Sequence, residues 1–400
     1  MNPILCFYFQ VHQPFRLNRE FTFFEIGSQT PERYEDEDEN RLIMKKIAKN
    51  CYLPMNALLL SLLKKSEGKF KISFSISGMA LEQFSLYAPE VLTSFQELVA
   101  TGQVEILAET YYHSLASIYS PQEFFEQVNL HREAIKKYFN VFPTTFRNTE
   151  LIYNNNIASM AQHLGFDLIL AEGTDKNLLG QSPNFLYRPE GCGRIKLLTK
   201  NFNFSDDIAF RFSNKNWSEY PLTSQKYLTW LENTSRMKKA DVINLFMDYE
   251  TFGEHQNITT GIFDFFEEFI FTVSKSGKWD FKTPAEVAKL LEVKGTLSTP
   301  ETSSWADSER DLSAWTGNTM QQAATEFVYS LEKLAKNSHD PKLIHLWRKL
   351  LSSDHTYYLS TKGSSDGDVH HYFSPYASPH DAFIIYSNIL NDFKITLENQ

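Results

Sequence analysis

The sequence predicts an α/β fold of parallel βαβ units over residues 1–295, followed by an all-helical region over residues 296–400. Three observations carry that expectation. Short apolar runs of strand length alternate with stretches of helical period from residue 4 to about residue 291, the order that parallel strands with crossover helices produce. Polar residues follow four of the apolar runs, at His12, at residues 109–113, at Glu150 and at Asp248, and the C-terminal ends of strands are where α/β barrels assemble their sites. Beyond residue 296 only helical patterns remain.

The apolar run 4–11 reads as a strand buried on both faces, and it stops at His12-Gln13-Pro14. An acidic loop at 33–39 is solvated or caps the helix after it. Helical period then covers 41–65, with Pro54 expected to split it. Residues 70–76 alternate as a strand, and 81–99 read as helix interrupted near Pro89 and closed by Gly102. The strand 104–107 leads into Glu109-Thr110-Tyr111-Tyr112-His113. Ser120-Pro121-Gln122-Glu123 combines a cap residue, a proline at the first helical position and a capping-box glutamate, so a helix is predicted as far as Phe139. A brief strand at 145–147 delivers Glu150, and a helix at 156–164 and a strand at 166–171 come next. Residues 172–205 are rich in Gly, Asn and Pro and lack a period apart from a candidate strand at 195–198, so they read as a surface excursion. A helix at 220–237 precedes the strand 242–247 that delivers Asp248. Helices are predicted at 262–274 and 283–291, then at 319–336, 341–351 and 380–397.

A chain with 42% hydrophobic and 22% charged residues is globular with a large core. Its 49 acidic and 39 basic side chains leave a formal charge of −10, which repels phosphate backbones, so nucleic acid is not an expected partner. Aromatic residues make up 14%; flat apolar rings suit the C–H faces of sugars, while runs such as 263–271 read as core. Cys6, Cys51 and Cys192 fit neither a disulfide framework nor a zinc cluster, which points to a reducing compartment. The N-terminal segment has no basic region and no small-residue cleavage site before His12, and no run reaches the roughly 18 apolar residues of a membrane helix. A cytoplasmic protein with no membrane partner is the expectation. Ligand sets at short spacing are absent, so no metal and no cofactor is expected, and nothing in the chain sets an oligomeric state.

Glu150 and Asp248 lie 248 − 150 = 98 residues apart, so only the fold can pair them. Glycoside hydrolysis needs two carboxyl groups, one giving a proton to the leaving oxygen and one attacking the sugar or activating water. A lone carboxylate after a strand is more often a cap or an ion-pair partner. The neighbouring motifs change that reading. In order they are His12-Gln13-Pro14, then Gly102-Gln103-Val104-Glu105 with His113, then Glu150, then Asp248-Tyr249-Glu250-Thr251-Phe252-Gly253-Glu254-His255. Trp305-Ala306-Asp307-Ser308-Glu309-Arg310, continuing to Trp315, and Ser352-Ser353-Asp354-His355 complete the set. In this order they resemble glycoside hydrolase family 57, in its α-amylase-like branch.

The resemblance implies an incomplete (β/α)7 barrel followed by a helical region packed at its mouth, and a retaining attack on α-1,4-glucans. By matching position, Glu150 is the expected nucleophile and Asp248 the expected general acid/base, with Glu250 and Glu254 as rival acids. His12, His113, Trp305, Trp315 and Asp354 are expected near the sugar. Glu105 lies within a strand and is as readily structural. Arg147, three residues before Glu150, favours the ionised form of Glu150, and the acidic neighbours of Asp248 favour its protonated form. A 4-α-glucanotransferase would use the same residues. A non-catalytic α-glucan-binding protein and a metal-dependent hydrolase or deacetylase, with His12 as a ligand, are further alternatives.

Overall fold

The structure is a computed structural model that describes residues 2–237 and 240–400. Eight strands of three or more residues stand among the described residues: β1 (Ile4–Val11), β2 (Ile72–Ile76), β3 (Val104–Ile106), β4 (Thr145–Arg147), β5 (Leu168–Ala171), β6 (Leu186–Pro189), β7 (Lys196–Thr199) and β8 (Val242–Asp248). β1 is the hub. It runs parallel to β8 from Ile4 to Gln10, and its other edge pairs in parallel with β2 through Tyr8 to Val11 and with the short strand Asp280–Phe281. β2 in turn pairs with β3. A second sheet joins β4, β5 and β7 in parallel, with β6 antiparallel to β7 and the two-residue strand Thr296–Leu297 beside β6. One parallel bridge, Ala108 to Phe146, connects the end of β3 to β4.

Continuous apolar strands serve two cores because successive side chains point to opposite faces. In β1, Leu5, Phe7, Phe9 and Val11 enter a large aromatic core shared with the surrounding helices. The alternate residues Ile4, Cys6 and Tyr8 enter a second core with Leu168 and Leu170 of β5 and Leu198 of β7. The two sheets therefore share an interior.

The predicted break at Pro54 falls earlier. Helix Glu37–Ile47 passes into a wide turn at Ala48–Tyr52, and Pro54 sits in the first turn of helix Leu53–Lys65, where a missing N–H removes no helical hydrogen bond. The shape of this turn is used: Gly253, at φ +106°, lies so close that a Cβ there would stand 2.0 Å from the Asn50 carbonyl oxygen.

Residues 172–205 are not a surface excursion. They contain β6, β7 and the start of helix Phe202–Ala209, and Glu172, Lys200 and Asn201 are buried. The candidate strand at 195–198 is β7, while β6, a four-residue strand antiparallel to it, is too short to display a period. The region after residue 296 is mainly helical, with helices Thr319–Ser330, Pro341–Leu350 and Pro379–Glu398 near the predicted positions and a further helix, Ser364–Phe373, that was not predicted. Its apolar core is completed by Leu17, Phe21 and Tyr34 from the loop after β1. In the last helix Asp392 accepts hydrogen bonds from the Gly27 and Gln29 amides at 2.6 and 3.1 Å and from the Tyr34 hydroxyl at 2.6 Å.

Candidate active site

A cavity of about 430 Å³ opens where β1, β4 and β8 end, closed on its far side by the segments carrying Trp305 and Asp354. Glu150 and Asp248 both line it. His12, His113, Trp305, Trp315 and Asp354 line it too, so both expected catalytic acids and the five residues expected near the sugar reach one space, while the rival acid Glu254 is not in the lining. Glu105 does not. Its carboxylate accepts from the Thr145 hydroxyl at 2.5 Å and the Ala285 amide at 2.8 Å, which caps the start of helix Pro284–Leu290.

Glu150 sits on a tight turn directly after β4, with φ +56° and Leu151 at φ +50°. A non-glycine residue in this left-handed region stores about 1–3 kcal/mol of strain and needs a surrounding that fixes it. That surrounding is specific. The His113 imidazole Nε2 donates to Glu150 Oε1 at 2.8 Å, and the Trp305 indole donates to Oε2 at 2.6 Å. The Trp305 amide also donates to the Glu150 carbonyl at 3.2 Å. Burial alone would raise the Glu150 carboxyl, but the His113 hydrogen bond and charge, the Arg147 charge and the Trp305 bond outweigh it and hold the group below the ordinary glutamate value.

His113 is itself at φ +50° and is gripped from behind, its Nδ1 3.0 Å from Glu109 Oε2. Burial opposes its charge, yet the hydrogen bonds it donates to both glutamates push the imidazole up to about 9, so it is an imidazolium at neutral pH. Glu109 is held down to about 2: burial opposes ionisation, and the His113 bond and charge with the Arg147 charge overcome it. The fully buried Arg147 guanidinium lies 3.6 Å from Glu109 and 5.2 Å from the Trp305 ring centre.

The His12 ring stacks on that of His113 with centres 3.8 Å apart. Burial and the neighbouring imidazolium lower its pKa, so it is neutral. Its Nε2 is 2.9 Å from Asp354 and its Nδ1 2.7 Å from the Ser77 hydroxyl. With Asp354 ionised, Nε2 carries the proton and the Ser77 hydroxyl donates to Nδ1. Burial would raise Asp354, but the N–H that His12 donates to it, the His113 imidazolium and the Ser352 hydroxyl hold it well below the usual carboxylate range.

Asp248 ends the seven-residue β8 in extended conformation, φ −65° and ψ 139°. Its side chain has no hydrogen bond among the described residues. Burial first, and then the Glu150 charge, push it up to about 6 against the pull of Arg147, Lys200 and His113. The effect expected from its acidic neighbours in sequence is real in direction, but it comes from burial and from Glu150. Glu250 also lines the cavity; burial and the Asp248 charge push it up to about 8, and it accepts a hydrogen bond from the Tyr52 hydroxyl.

Sequence reasoning did not single out the charged group behind Trp305. Lys200, just past β7, lies 3.3 Å from Glu172 and 3.1 Å from Asp206. Arg310 contacts the same two acids at 3.2 and 3.1 Å and donates to the Trp305 carbonyl at 2.6 Å. Arg310 lies inside the Trp305 motif, and Lys200 follows a strand end as Asp248 does; those were the available signals. Among the described residues no group of three or more His, Cys, Asp or Glu has a geometry suited to a metal ion, and no helix is long and apolar enough to cross a membrane.

An α/β chain that brings a carboxyl held ionised and a carboxyl whose pKa is raised into one aromatic-lined cavity has the layout of an enzyme that breaks glycosidic bonds. The family model for Glycosyl hydrolase family 57 matches residues 6–300, and the chain belongs to that family. A putative alpha-amylase of Methanocaldococcus jannaschii is 43% identical over 98% of this chain and 84% of its own length. Among solved structures, an alpha-amylase from Thermotoga maritima superposes with a TM-score of 0.62 at 13% identity, over 99% of each chain. A 4-alpha-glucanotransferase from Thermococcus litoralis superposes with a TM-score of 0.60 at 16% identity over 97% of this chain, which spans 55% of the glucanotransferase. At such identities the structural matches speak for the fold.

Proposed function

We propose that the protein is a retaining α-glycosidase of α-amylase type acting on α-1,4-glucans, with Glu150 as nucleophile and Asp248 as general acid/base. The observation that carries this reading is the opposite treatment of two carboxyls in one cavity: Glu150 is held ionised, while Asp248 is raised to about 6. Glu150 attacks the anomeric carbon as the Asp248 proton passes to the glycosidic oxygen, which leaves with its chain. The glycosyl group is then an ester on Glu150. Asp248, now a carboxylate, takes a proton from water, the water oxygen bonds to the anomeric carbon, and Glu150 is released. His113 and Trp305 hold the two Glu150 oxygens, and His12, Asp354 and Trp315 face the sugar. His113, expected at the sugar, fits better as the cation that keeps Glu150 ionised, because both its nitrogens are engaged by glutamates.

The same reading makes the two sheets one barrel of seven parallel strands in the order β8, β1, β2, β3, β4, β5, β7. It is supported by the Ala108 to Phe146 bridge, by the Asn201 amide donating to the Asn244 carbonyl at 2.9 Å between the end of β7 and β8, and by the shared interior of β1, β5 and β7. Residues 1–295 are the catalytic part and 296–400 the helical part that completes the cleft, tied back by Thr296–Leu297 and by the loop after β1. The three unpaired cysteines fit a cytoplasmic setting.

Incubation with maltoheptaose tests the proposal. Hydrolysis gives only shorter products, released as the α-anomer in early ¹H NMR spectra. Longer oligosaccharides in the mixture would replace water by a sugar hydroxyl in the second step and make the protein a 4-α-glucanotransferase. An initial β-anomer would refute retention, and full activity of Glu150→Gln would refute the nucleophile.

A further inference from the structure

Most aromatic side chains of this protein are buried, but a few large apolar ones that line the cavity are open to solvent. Phe210 is 60% exposed, Phe373 41% and Val369 39%. Exposed rings at the edge of a cleft contribute little to the core and leave a flat apolar face to which a ligand can bind. They are contiguous with His255, which lines the same cavity. The Gln256 side chain, next to His255, donates to the Ala209 carbonyl beside Phe210 at 2.9 Å. On the other side the His255 and Phe373 ring centres are 5.4 Å apart at 80°.

The helix that presents Phe373, Ser364–Phe373, is fastened to the segment bearing Trp305. The Ser308 hydroxyl donates to Asp366 at 2.7 Å, and His370 Nε2 lies 3.0 Å from Asp307. Since Trp305 is bonded to Glu150, the rim stands at a fixed offset from the candidate nucleophile. Neither ring nitrogen of His255 is hydrogen-bonded among the described residues, and burial pushes the imidazole down to about 4, leaving it neutral and able to pair with a hydroxyl.

We propose that Phe210, His255 and Phe373 form a rim site that stacks against a glucosyl ring of the α-glucan beyond the bond broken at Glu150. This rests on the α-glucan reading of the cavity. A pyranose offers an apolar C–H face to a ring and hydroxyls at its edge, which matches two exposed phenyl rings in the lining together with a neutral imidazole. The site selects for chain length, because a glucosyl unit reaches the Phe210 and Phe373 end of the cavity only when the chain extends past the unit held at Glu150.

With Glu150→Gln as the parent, so that neither sugar is turned over, equilibrium affinities of the parent, Phe210→Ala, Phe373→Ala and the double variant for maltotriose and maltoheptaose, measured by calorimetry, test this. The exposed Phe142 lies outside the cavity, and Phe142→Ala serves as control. In the double variant the preference for maltoheptaose over maltotriose falls about tenfold, with each single variant giving part of the loss. An unaltered preference, or equal losses for both sugars, overturns the rim site and leaves the functional reading standing. A parent that binds neither sugar overturns both.

Discussion

Glu150 and Asp248 share one cavity, yet the protein builds their surroundings in opposite ways. Glu150 is over-determined: a strained left-handed turn, an imidazolium on one oxygen and an indole on the other. Asp248 is under-supplied. It ends a long regular strand at a half-buried position and has no hydrogen bond to its carboxyl among the described residues. Hydrogen-bond donors stabilise charge, and burial without them stabilises the neutral acid. The difference shows that a proton can be placed by withholding partners as well as by supplying them.

The largest break in this comparison is removal of the anion. Glu150→Gln keeps the size and both neighbours, and its kcat on maltoheptaose falls about 10⁴-fold or more while Tm stays close to that of wild type. Asp248→Asn removes the proton donor and reduces kcat about 10²- to 10⁴-fold. Its loss is much smaller on an aryl glycoside whose leaving group departs unprotonated, and equal losses on both substrates would remove the acid role from Asp248.

The pH profile reports both environments at once. Asp248 must be protonated for the first step, so activity is present below about 6 and is lost as pH rises through that value. Glu150 must be ionised, so activity is lost on the acid side as pH falls through its depressed pKa. His113→Gln keeps a donor and removes the charge. The acid limb then moves to higher pH and kcat drops about 10- to 100-fold, and an acid limb that stays in place would sink the assignment of His113. Trp305→Phe removes the indole N–H and shortens the ring while leaving an aromatic side chain in place. It gives the same movement of the acid limb with a smaller loss, about tenfold, read from kcat/KM against pH.

The two carboxyls were legible in the sequence because each follows a strand of recognisable composition, and the brief strand Thr145–Arg147 lies where the pattern placed it. The influence of Arg147 on Glu150 was also legible, since it acts across three residues. The links from Glu109 through His113 to Glu150 were not, because hydrogen bonds spanning 37 residues exist only once strands are adjacent. Lys200 and Asp206 were hidden for another reason: Lys200 follows β7 and Asp206 lies in helix Phe202–Ala209, inside a stretch whose Gly, Asn and Pro content read as a surface loop. Helix Ser364–Phe373 escaped because polar clamps hold it where an apolar stripe ordinarily would, and Gly367 interrupts what pattern it has.

The hydrogen bonds that Asp392 receives from the loop after β1 set a timetable for synthesis. Gly27 emerges 365 residues before the acid it bonds to, a delay of roughly 20–70 s at ordinary translation rates. Until then Tyr34 and Phe21 lack the helices that bury them, so the first loop made is among the last to settle, and the cleft wall carrying Asp354 waits with it.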